Sequence, residues 1–188
     1  VLAPMNPGYR MYLNEDTHAL QYHDRIGEHA SKHGGYVLFG SHAVDIGIIN
    51  GRYDVKNQYN SAYLYNPEGK QDLDRYDKIH LVPFGEYIPF KKSVPWIYKI
   101  ILALSPYEYD YNLTPGEKYT RFTISDNGHK YGFGVLICYE DTDPTVSRKL
   151  VLNENQPQKA DFLVNLSNDG WYVFKKDGQM KPSVELAQ

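Results

Sequence analysis

An amphipathic helix is the first element that the pattern of apolar and polar positions predicts. Between Glu15 and His33, apolar residues recur at helical spacing and charged residues occupy the opposite face. Gly34 and Gly35 follow at once, and glycine is the residue that most often closes a helix. We therefore expect a surface helix that ends at this glycine pair.

The next part of the chain has the pattern of strands. Residues 36–39 and 42–49 are rich in aromatic and β-branched side chains, and we expect Gly40 to separate them into two strands. A polar turn is predicted at residues 50–51. Residues 59–65 alternate and lead into a turn that contains Pro and Gly. This region is predicted to be mostly strand.

A hairpin and a strand-helix-strand unit are predicted in the second half. Residues 119–125 and 130–138 flank an Asn-Gly dipeptide, which tolerates the positive φ angles of a tight turn. The end of the second arm is a continuous apolar run, typical of a strand buried on both faces. Residues 144–152 then fit a helix with Pro in its first turn, and residues 160–166 fit another buried strand. This order of elements indicates an α/β fold.

The composition is that of one ordinary globular domain, which we assign to residues 1–188. The chain has 188 residues, 41% of them hydrophobic, and a net charge of -3. It is therefore long enough to bury a core without disulfides or a metal. Its Lys and Arg residues are scattered, which argues against a nucleic-acid partner. A single Cys excludes a disulfide scaffold and a Cys-cluster zinc site.

The ends of the chain and its longest apolar stretch bear on membrane association. Residues 94–104 are mostly apolar but contain a Lys and are far shorter than the roughly 20 residues of a membrane span. The first residues lack the basic start and apolar run of a signal peptide, and there is no initiator Met. We interpret the chain as an internal piece of a longer protein.

Three side chains are candidates for chemistry. Cys138 lies where a buried strand gives way to a polar stretch, where α/β folds present reactive groups; the alternative is a small buried hydrophobe. Lys78 lies among apolar neighbours, so a buried ammonium there requires an acidic partner, and Glu86 is a candidate. The alternative is a lysine at a sheet edge and a glutamate on a surface loop. Spacing leaves these alternatives open.

Three blocks of sequence resemble a known family. They are YDKIHLVPFGEYIPF at residues 76–90, GVLICYED at 134–141 and ADFLVNLSNDGWY at 160–172. Their order and spacing resemble the nitrilase, or carbon-nitrogen hydrolase, superfamily over about the whole chain. The HLVPFGEY form resembles its branch of bacterial apolipoprotein N-acyltransferases. The resemblance implies an α/β fold, a nitrilase-like four-layer αββα sandwich that is incomplete at both ends.

The resemblance also implies a Glu-Lys-Cys triad and its reaction. Cys138 would be the nucleophile, Lys78 the cation that stabilises the tetrahedral oxyanion, and Glu86 the second glutamate that supports the site. The implied reaction is phospholipid-dependent N-acylation of the lipid-modified N-terminal Cys of apolipoproteins through a thioester on the enzyme. Four further positions are implied to bind substrate or support the site: Tyr139, Glu140, Asn168 and Trp171.

The general base of the triad is where this chain departs from the family. A Glu in a Pro-Glu motif is expected near the beginning, yet residues 1–10 contain no Glu. It lies upstream of Val1 or is replaced, for example near Pro4. Glu15 and Glu28 belong to the predicted helix and do not match the motif. We therefore expect this chain to be an inactive fragment of an active parent.

The partners follow from the resemblance and from one segment. The resemblance implies a phospholipid acyl donor, an apolipoprotein acceptor, and a parent in the bacterial inner membrane with this domain on the periplasmic side. Residues 91–104 combine Lys, Trp and Tyr with apolar residues, and we expect them to contact the membrane surface or to pack within the protein. No cofactor and no metal are expected: His29 and His33 have metal-pair spacing, but no third ligand follows. His80 is expected to be a strand-packed imidazole satisfied by the backbone.

Two other functions remain open from the sequence. One is a soluble nitrilase-type amidase that uses Cys138 and Lys78 to hydrolyse a small amide. The other is a binding module that has lost its general base. Flanking stretches of about 20 apolar residues would favour the acyltransferase, and a Pro-Glu just upstream of Val1 would exclude the binding module.

Overall fold

Two helices, a 3-10 turn and eight strands make up the regular structure of the described part of the protein. The structure is a computed structural model that describes residues 17–49, 51–89, 96, 112–152, 159–168, 173–176 and 179–182. The helices are α1 (Thr17–His33) and α2 (Pro144–Val151), and a 3-10 turn spans Cys138–Thr142. The strands are β1 (Val37–Ile49), β2 (Arg52–Tyr65), β3 (Gln71–Asp77), β4 (Arg121–Asp126), β5 (His129–Ile137), β6 (Phe162–Leu166), β7 (Val173–Lys176) and β8 (Gln179–Pro182).

The described strands form two three-stranded sheets and one two-stranded sheet. In the first sheet, β1, β2 and β3 are antiparallel neighbours in chain order. In the second, β4 and β5 form an antiparallel hairpin and β6 runs parallel to β5, with α2 in the connection between them. The strands β7 and β8 pair with each other. Because β5 and β6 are parallel, the residues that follow them emerge at the same edge of the second sheet.

The main core lies between the two three-stranded sheets. Ala62, Leu64 and Tyr76 of the first sheet belong to one buried cluster with Phe133 and Val135 of the second. Burial of a large apolar side chain is worth about 1.5–3 kcal/mol, so this cluster is what holds the sheets face to face. The alternation of buried residues along β5 is lost because both of its faces are covered.

Each helix covers the outer face of one sheet. Ala30 of α1 packs with Ala43 and Tyr63 on the first sheet. Leu150 of α2 lies against Gly134 of β5, where an added Cβ would be only 3.0 Å from the Cβ of Leu150. Glycine therefore permits this close approach of helix and strand. The layers follow the order helix, sheet, sheet, helix, which confirms the predicted αββα arrangement.

The turn predictions are partly confirmed. Asn127 and Gly128 have φ angles of 47° and 82° and close the β4–β5 hairpin, as their dipeptide predicts. The predicted break at Gly40 is wrong, because β1 is continuous and Gly40 pairs with Ala62 of β2. Gly40 instead faces Leu166 of the second sheet, so its small size serves packing between the sheets.

The second strand is longer than the sequence predicts. β2 begins at Arg52 rather than at residue 59, because a continuous ladder with β1 supplies the hydrogen bonds. Residues 52–58 are mostly polar and exposed, so no buried face marks them as a strand. The result is a long hairpin that extends beyond the part of β2 paired with β3.

Candidate active site

Cys138 occupies a sharp turn between a buried strand and a helix. β5 ends at Ile137, and Cys138 begins the 3-10 turn that leads into α2. Its φ angle of 56° lies in the left-handed region, which is costly for a residue with a side chain. Asp143 caps α2 by accepting hydrogen bonds from the N–H groups of Thr145 and Val146. The partly exposed thiol is thus held by structure on both sides.

Lys78 is a buried cation that is paired with Glu86. Lys78 follows β3 and is 1% exposed, and its Nζ donates a hydrogen bond of 2.7 Å to Oε2 of Glu86. The same oxygen accepts a 2.9 Å hydrogen bond from the N–H of Val82. An unpaired buried charge costs several kcal/mol, so the ammonium needs this partner. The predicted pairing of Lys78 with Glu86 is present, and the alternative of two unrelated surface residues is wrong.

Glu140 joins the Lys78 segment to the Cys138 turn. It is 0% exposed, yet no cation contacts it among the described residues. Donors on both sides of Lys78 and one next to Cys138 therefore bind the same carboxylate. The hydrogen bonds come from the Tyr76 hydroxyl at 2.9 Å and from the N–H groups of Ile79 (2.7 Å), His80 (3.0 Å) and Ile137 (2.8 Å).

The hydroxyl of Tyr76 remains a donor to Glu140 because of its surroundings. Burial, and then the neighbouring Glu140 carboxylate, raises the pKa of Tyr76 well above its usual range. The phenol is therefore protonated at neutral pH and donates its hydrogen bond to Glu140.

A second contact joins the same two segments. The Nδ1 atom of His80 lies within hydrogen-bond distance of the Asp143 carboxylate. The expectation that the backbone satisfies this imidazole is wrong, since its contact is with a side chain 63 positions further along the chain. This hydrogen bond, followed by the one from the N–H of Thr145, lowers the pKa of Asp143. The Lys78 segment is thus attached both to the turn and to the helix after it.

Two other predicted residues lie near Cys138. Tyr139 follows it directly, with 52% of its surface exposed. Asn168 follows β6, whose last residue Leu166 pairs with Ile137, so Asn168 and Cys138 emerge at the same edge of the second sheet. Both residues therefore lie at the sheet edge where Cys138 emerges.

Several predicted features lie outside the described residues. Trp171 is one of them. The start of the chain up to residue 16, where the general base was sought, is another. Residues 91–104 also lie outside, apart from Trp96, which is 65% exposed.

Asn60 is a residue of the site that the sequence analysis missed. Its side-chain Nδ2 donates to Oε1 of Glu86 at 3.3 Å, and its backbone carbonyl accepts the N–H of Lys78 at 2.8 Å. The two oxygens of Glu86 therefore have different partners. A signal was present in the sequence: Asn60 shares its strand face with Ala62 and Leu64, so it is a polar residue at a core-facing position.

Replacing Asn60 by Asp is expected to slow the chemistry of the site. A second carboxylate beside Glu86 would repel the Glu86 carboxylate and compete with it for the Lys78 ammonium, so the cation would be held less well. We expect acylation of Cys138 to slow by about tenfold, which corresponds to about 1.4 kcal/mol in the barrier. The rate of acyl-enzyme formation measures this.

Asn57→Asp is the matched control for the Asn60 variant. Asn57 lies on the same strand, and its Nδ2 is 3.5 Å from Oδ2 of Asp45, so the same substitution again brings two carboxylates together. This site is on the outer face of the sheet, so the acylation rate should not change. An equal loss of acylation rate in both variants would show that Asn60 has only a structural role.

One cavity among the described residues lies away from the Cys138 turn. It has a volume of about 980 Å³ and is lined by residues on the outer face of the first sheet, among them Tyr63 and Arg75. Arg75 is bound to Asp77 at 2.9 Å and to Asp45 at 3.2 Å, so its charge is already satisfied. Cys138 is not among the lining residues, and this cavity is not where the thiol acts.

Membrane spans and metal sites are two further features to consider. In the described ranges of the chain, no helix combines the length and the apolar character needed to cross a membrane. The same ranges hold no cluster of three or more His, Cys, Asp or Glu side chains arranged as metal ligands. His29 and His33 of α1 place their rings 4.5 Å apart.

Comparison with protein families agrees with this geometry. The model of the carbon-nitrogen hydrolase family matches residues 5–180, and the chain belongs to that family. It is similar to apolipoprotein N-acyltransferase 2 of Treponema denticola, with 41% identity over 126 residues that cover 66% of this chain and 22% of that protein. With the apolipoprotein N-acyltransferase of Geobacter metallireducens it shares 36% identity over 113 residues, 60% of this chain and 19% of that protein.

The chain spans about a fifth of the length of these curated relatives. Among solved structures, an amidase from Nesterenkonia sp. is similar over 85% of this chain and 46% of that one, with a TM-score of 0.47 and 14% sequence identity.

Proposed function

We propose that residues 1–188 form one nitrilase-like catalytic domain that transfers a fatty acyl chain from a phospholipid to the N-terminal amino group of apolipoproteins. The observation that carries this proposal is the Glu140 carboxylate, which ties the Lys78–Glu86 pair to the Cys138 turn. The relatives named for this reaction favour acyl transfer over hydrolysis of a small amide.

In the first half-reaction the Cys138 sulfur attacks the ester carbonyl of the phospholipid. A carbon–sulfur bond forms, and the carbonyl electron pair moves to oxygen. The Nζ group of Lys78, held by Glu86, donates a hydrogen bond to that oxyanion; such fixed charge is commonly the largest catalytic contribution. The carbon–oxygen bond then breaks, and the departing lysophospholipid oxygen takes the proton that the thiol lost.

In the second half-reaction the thioester is transferred to the acceptor. The N-terminal amine of the apolipoprotein attacks the thioester carbonyl and forms a carbon–nitrogen bond. The carbon–sulfur bond breaks, and the proton lost by the amine returns to the thiolate. We assign proton transfer in both steps to a glutamate that the family resemblance places upstream of the described residues.

The remaining site residues are assigned by their position. Tyr139 is exposed next to Cys138, and Asn168 lies at the same sheet edge, so both are proposed to contact substrate. Trp171 is proposed for the same role on the resemblance alone. Glu140 is proposed to position Lys78 relative to the thiol, without touching the reacting atoms.

We also propose that the parent protein is located in the bacterial inner membrane with this domain on the periplasmic side. A single Cys is compatible with an oxidising compartment, since it has no partner for a disulfide within the chain. Residues 91–104 remain a proposed membrane contact. The phospholipid donor and the apolipoprotein acceptor follow from the proposed reaction.

Mass spectrometry of the acyl-enzyme tests the proposed function. The protein with its natural flanking sequence is incubated with phospholipid vesicles and compared with its Cys138→Ala variant. We expect a mass increase of one fatty acyl chain in the wild type and none in the variant, because only a thiol at this position forms the thioester. A synthetic lipid-modified Cys peptide should then remove the acyl chain.

The amidase alternative predicts a different outcome in the same experiment. A folded wild-type protein would then gain no acyl chain from phospholipid. It would instead release ammonia from a small amide in a Cys138-dependent way. That combination would overturn the acyltransferase proposal.

A further inference from the structure

The β1–β2 hairpin extends past the site that contains the Lys78–Glu86 pair. β3 pairs with β2 only between Ser61 and Tyr65, whereas β1 accompanies β2 as far as Arg52. From Asn60, beside the pair, to Tyr53 the strand spans about 23 Å at about 3.3 Å per residue. The end of the hairpin therefore projects beyond the sheet edge at which the site lies.

One face of this projecting end is apolar. The register pairs Ile46 with Val55 and Ile48 with Tyr53, and we call these four residues the apolar strip. Ile48 is 70% exposed and Tyr53 is 72% exposed, while Ile46 and Val55 are half-buried. Asn60 pairs with His42 of β1. Successive side chains of a strand alternate between its two faces, so His42, Ile46 and Ile48 share one face. The strip therefore lies on the face from which Asn60 contacts Glu86.

The opposite face of the hairpin end is charged. Ile49 and its partner Arg52 lie on this face. Lys56 lies on it too, because its side chain packs against the position that a Cβ of Gly47 would occupy. Asp54 is the acidic residue among them, so this face carries two cations and one carboxylate. The hairpin end is thus amphipathic, with exposed apolar groups on one side and a small excess of positive charge on the other.

Exposed apolar side chains that lie together at the end of a strand pair are suited to contact another molecule, because their removal from water is favourable. A second protein is a poor fit, since a stable interface buries about 800 Å² on each partner and four side chains do not supply that area. A lipid bilayer has no such requirement. Its acyl chains accept Ile and Tyr side chains, and anionic head groups attract Arg52 and Lys56.

We propose that the apolar strip inserts into the acyl region of a phospholipid bilayer, with Arg52 and Lys56 at the level of the head groups. This inference rests on the proposed function, because a lipid donor is the substrate that must reach the adjacent site. The strip then anchors the bilayer on the same side of the hairpin as the Lys78–Glu86 pair. This proposed membrane contact is distinct from the one proposed for residues 91–104.

Depth-dependent fluorescence quenching tests the insertion. Tyr53→Cys and Leu73→Cys are each made in the protein with its natural flanking sequence and with Cys138→Ala, then labelled with a bimane probe. Leu73 is the matched control, a fully exposed apolar residue near the opposite end of the first sheet. In vesicles of phosphatidylethanolamine and phosphatidylglycerol, nitroxide-labelled acyl chains should quench the probe at position 53 several-fold more than the probe at position 73.

Two outcomes would overturn the insertion. If iodide in the aqueous phase quenches both labels equally and lipid nitroxides quench neither, the strip lies in water. Protection of position 53 from iodide and from lipid nitroxides alike would mean that protein, such as a second copy, covers it. The quenching needs no acyl transfer, so its result is independent of whether an acyl-enzyme forms.

A second variant tests the consequence for the substrate. Ile48→Ser combined with Tyr53→Ser changes only exposed side chains, so folding should be retained. We expect the KM for phospholipid in vesicles to rise several-fold with kcat unchanged. An unchanged KM would show that the strip does not serve the donor, whatever its location.

Discussion

Lys78→Met is expected to abolish acylation of Cys138 and to destabilise the protein by about 3–5 kcal/mol, the usual cost of removing one partner of a buried ion pair. The Glu86 carboxylate, only 15% exposed, would keep its hydrogen bonds from Val82 and Asn60 but lose its cation. The rate should fall by about 10³-fold or more, because the oxyanion loses its fixed positive charge. Chemical denaturation and single-turnover acylation measure the two effects.

The double variant Lys78→Met with Glu86→Gln separates stability from catalysis. Removing both charges leaves no unpaired carboxylate, so most of the lost stability should return. Acylation should remain absent, since no cation faces the oxyanion. A double variant as unstable as the single variant would mean that packing of the Lys78 side chain, and not its charge pair, holds this segment.

Replacing Glu140 is expected to have a large effect on stability. Glu140→Ala would leave four donors without an acceptor in a region closed to water. Each unsatisfied buried group costs about 1–3 kcal/mol, so the sum is comparable with the whole stability of about 5–15 kcal/mol of an ordinary domain. We expect this variant to be largely unfolded, which circular dichroism and proteolysis would detect.

Glu140→Gln gives a graded version of the same test. Its amide oxygen still accepts from Tyr76, Ile79 and His80, but its nitrogen now faces the N–H of Ile137, donor against donor. The expected loss is about 1–3 kcal/mol, with a folded protein in which the Cys138 turn is displaced and acylation is slower. Glu28→Gln on the exposed face of α1 is the control and should change neither quantity. If Glu140→Gln were as stable as the wild type, this would contradict the proposal that Glu140 joins the Lys78 segment to the Cys138 turn.

Structure that depends on neighbouring residues can be predicted from the sequence, whereas contacts between distant segments of the chain cannot. The Asn127-Gly128 hairpin and the helix from Pro144 depend on neighbouring residues, and both are present. The Lys78–Glu86 pair was one of two open alternatives, because a charged residue among apolar neighbours shows only that a partner is needed. The contact of His80 was predicted wrongly, since its partner Asp143 is on a distant segment.

Two other errors have the same physical origin. The predicted break of β1 at Gly40 is wrong, because an isolated glycine in a strand pattern indicates an interruption when the sheet that packs against it is unknown. Asn60 is missed, although Ala62 and Leu64 share its strand face, because its partner Glu86 belongs to a loop that local patterns do not place. Glu140 was named from a motif, but its four donors follow only from the three-dimensional arrangement.

The contacts of Glu140 also determine when the site comes into existence during folding. They join residues 60 to 64 positions apart along the chain, and such contacts form late because a long loop must first be closed. The Lys78 segment is therefore joined to the Cys138 turn only after both sheets have formed and packed. A partly folded or still-emerging chain would carry an ordinary, weakly reactive cysteine, and reactivity towards acyl donors would itself report completed folding.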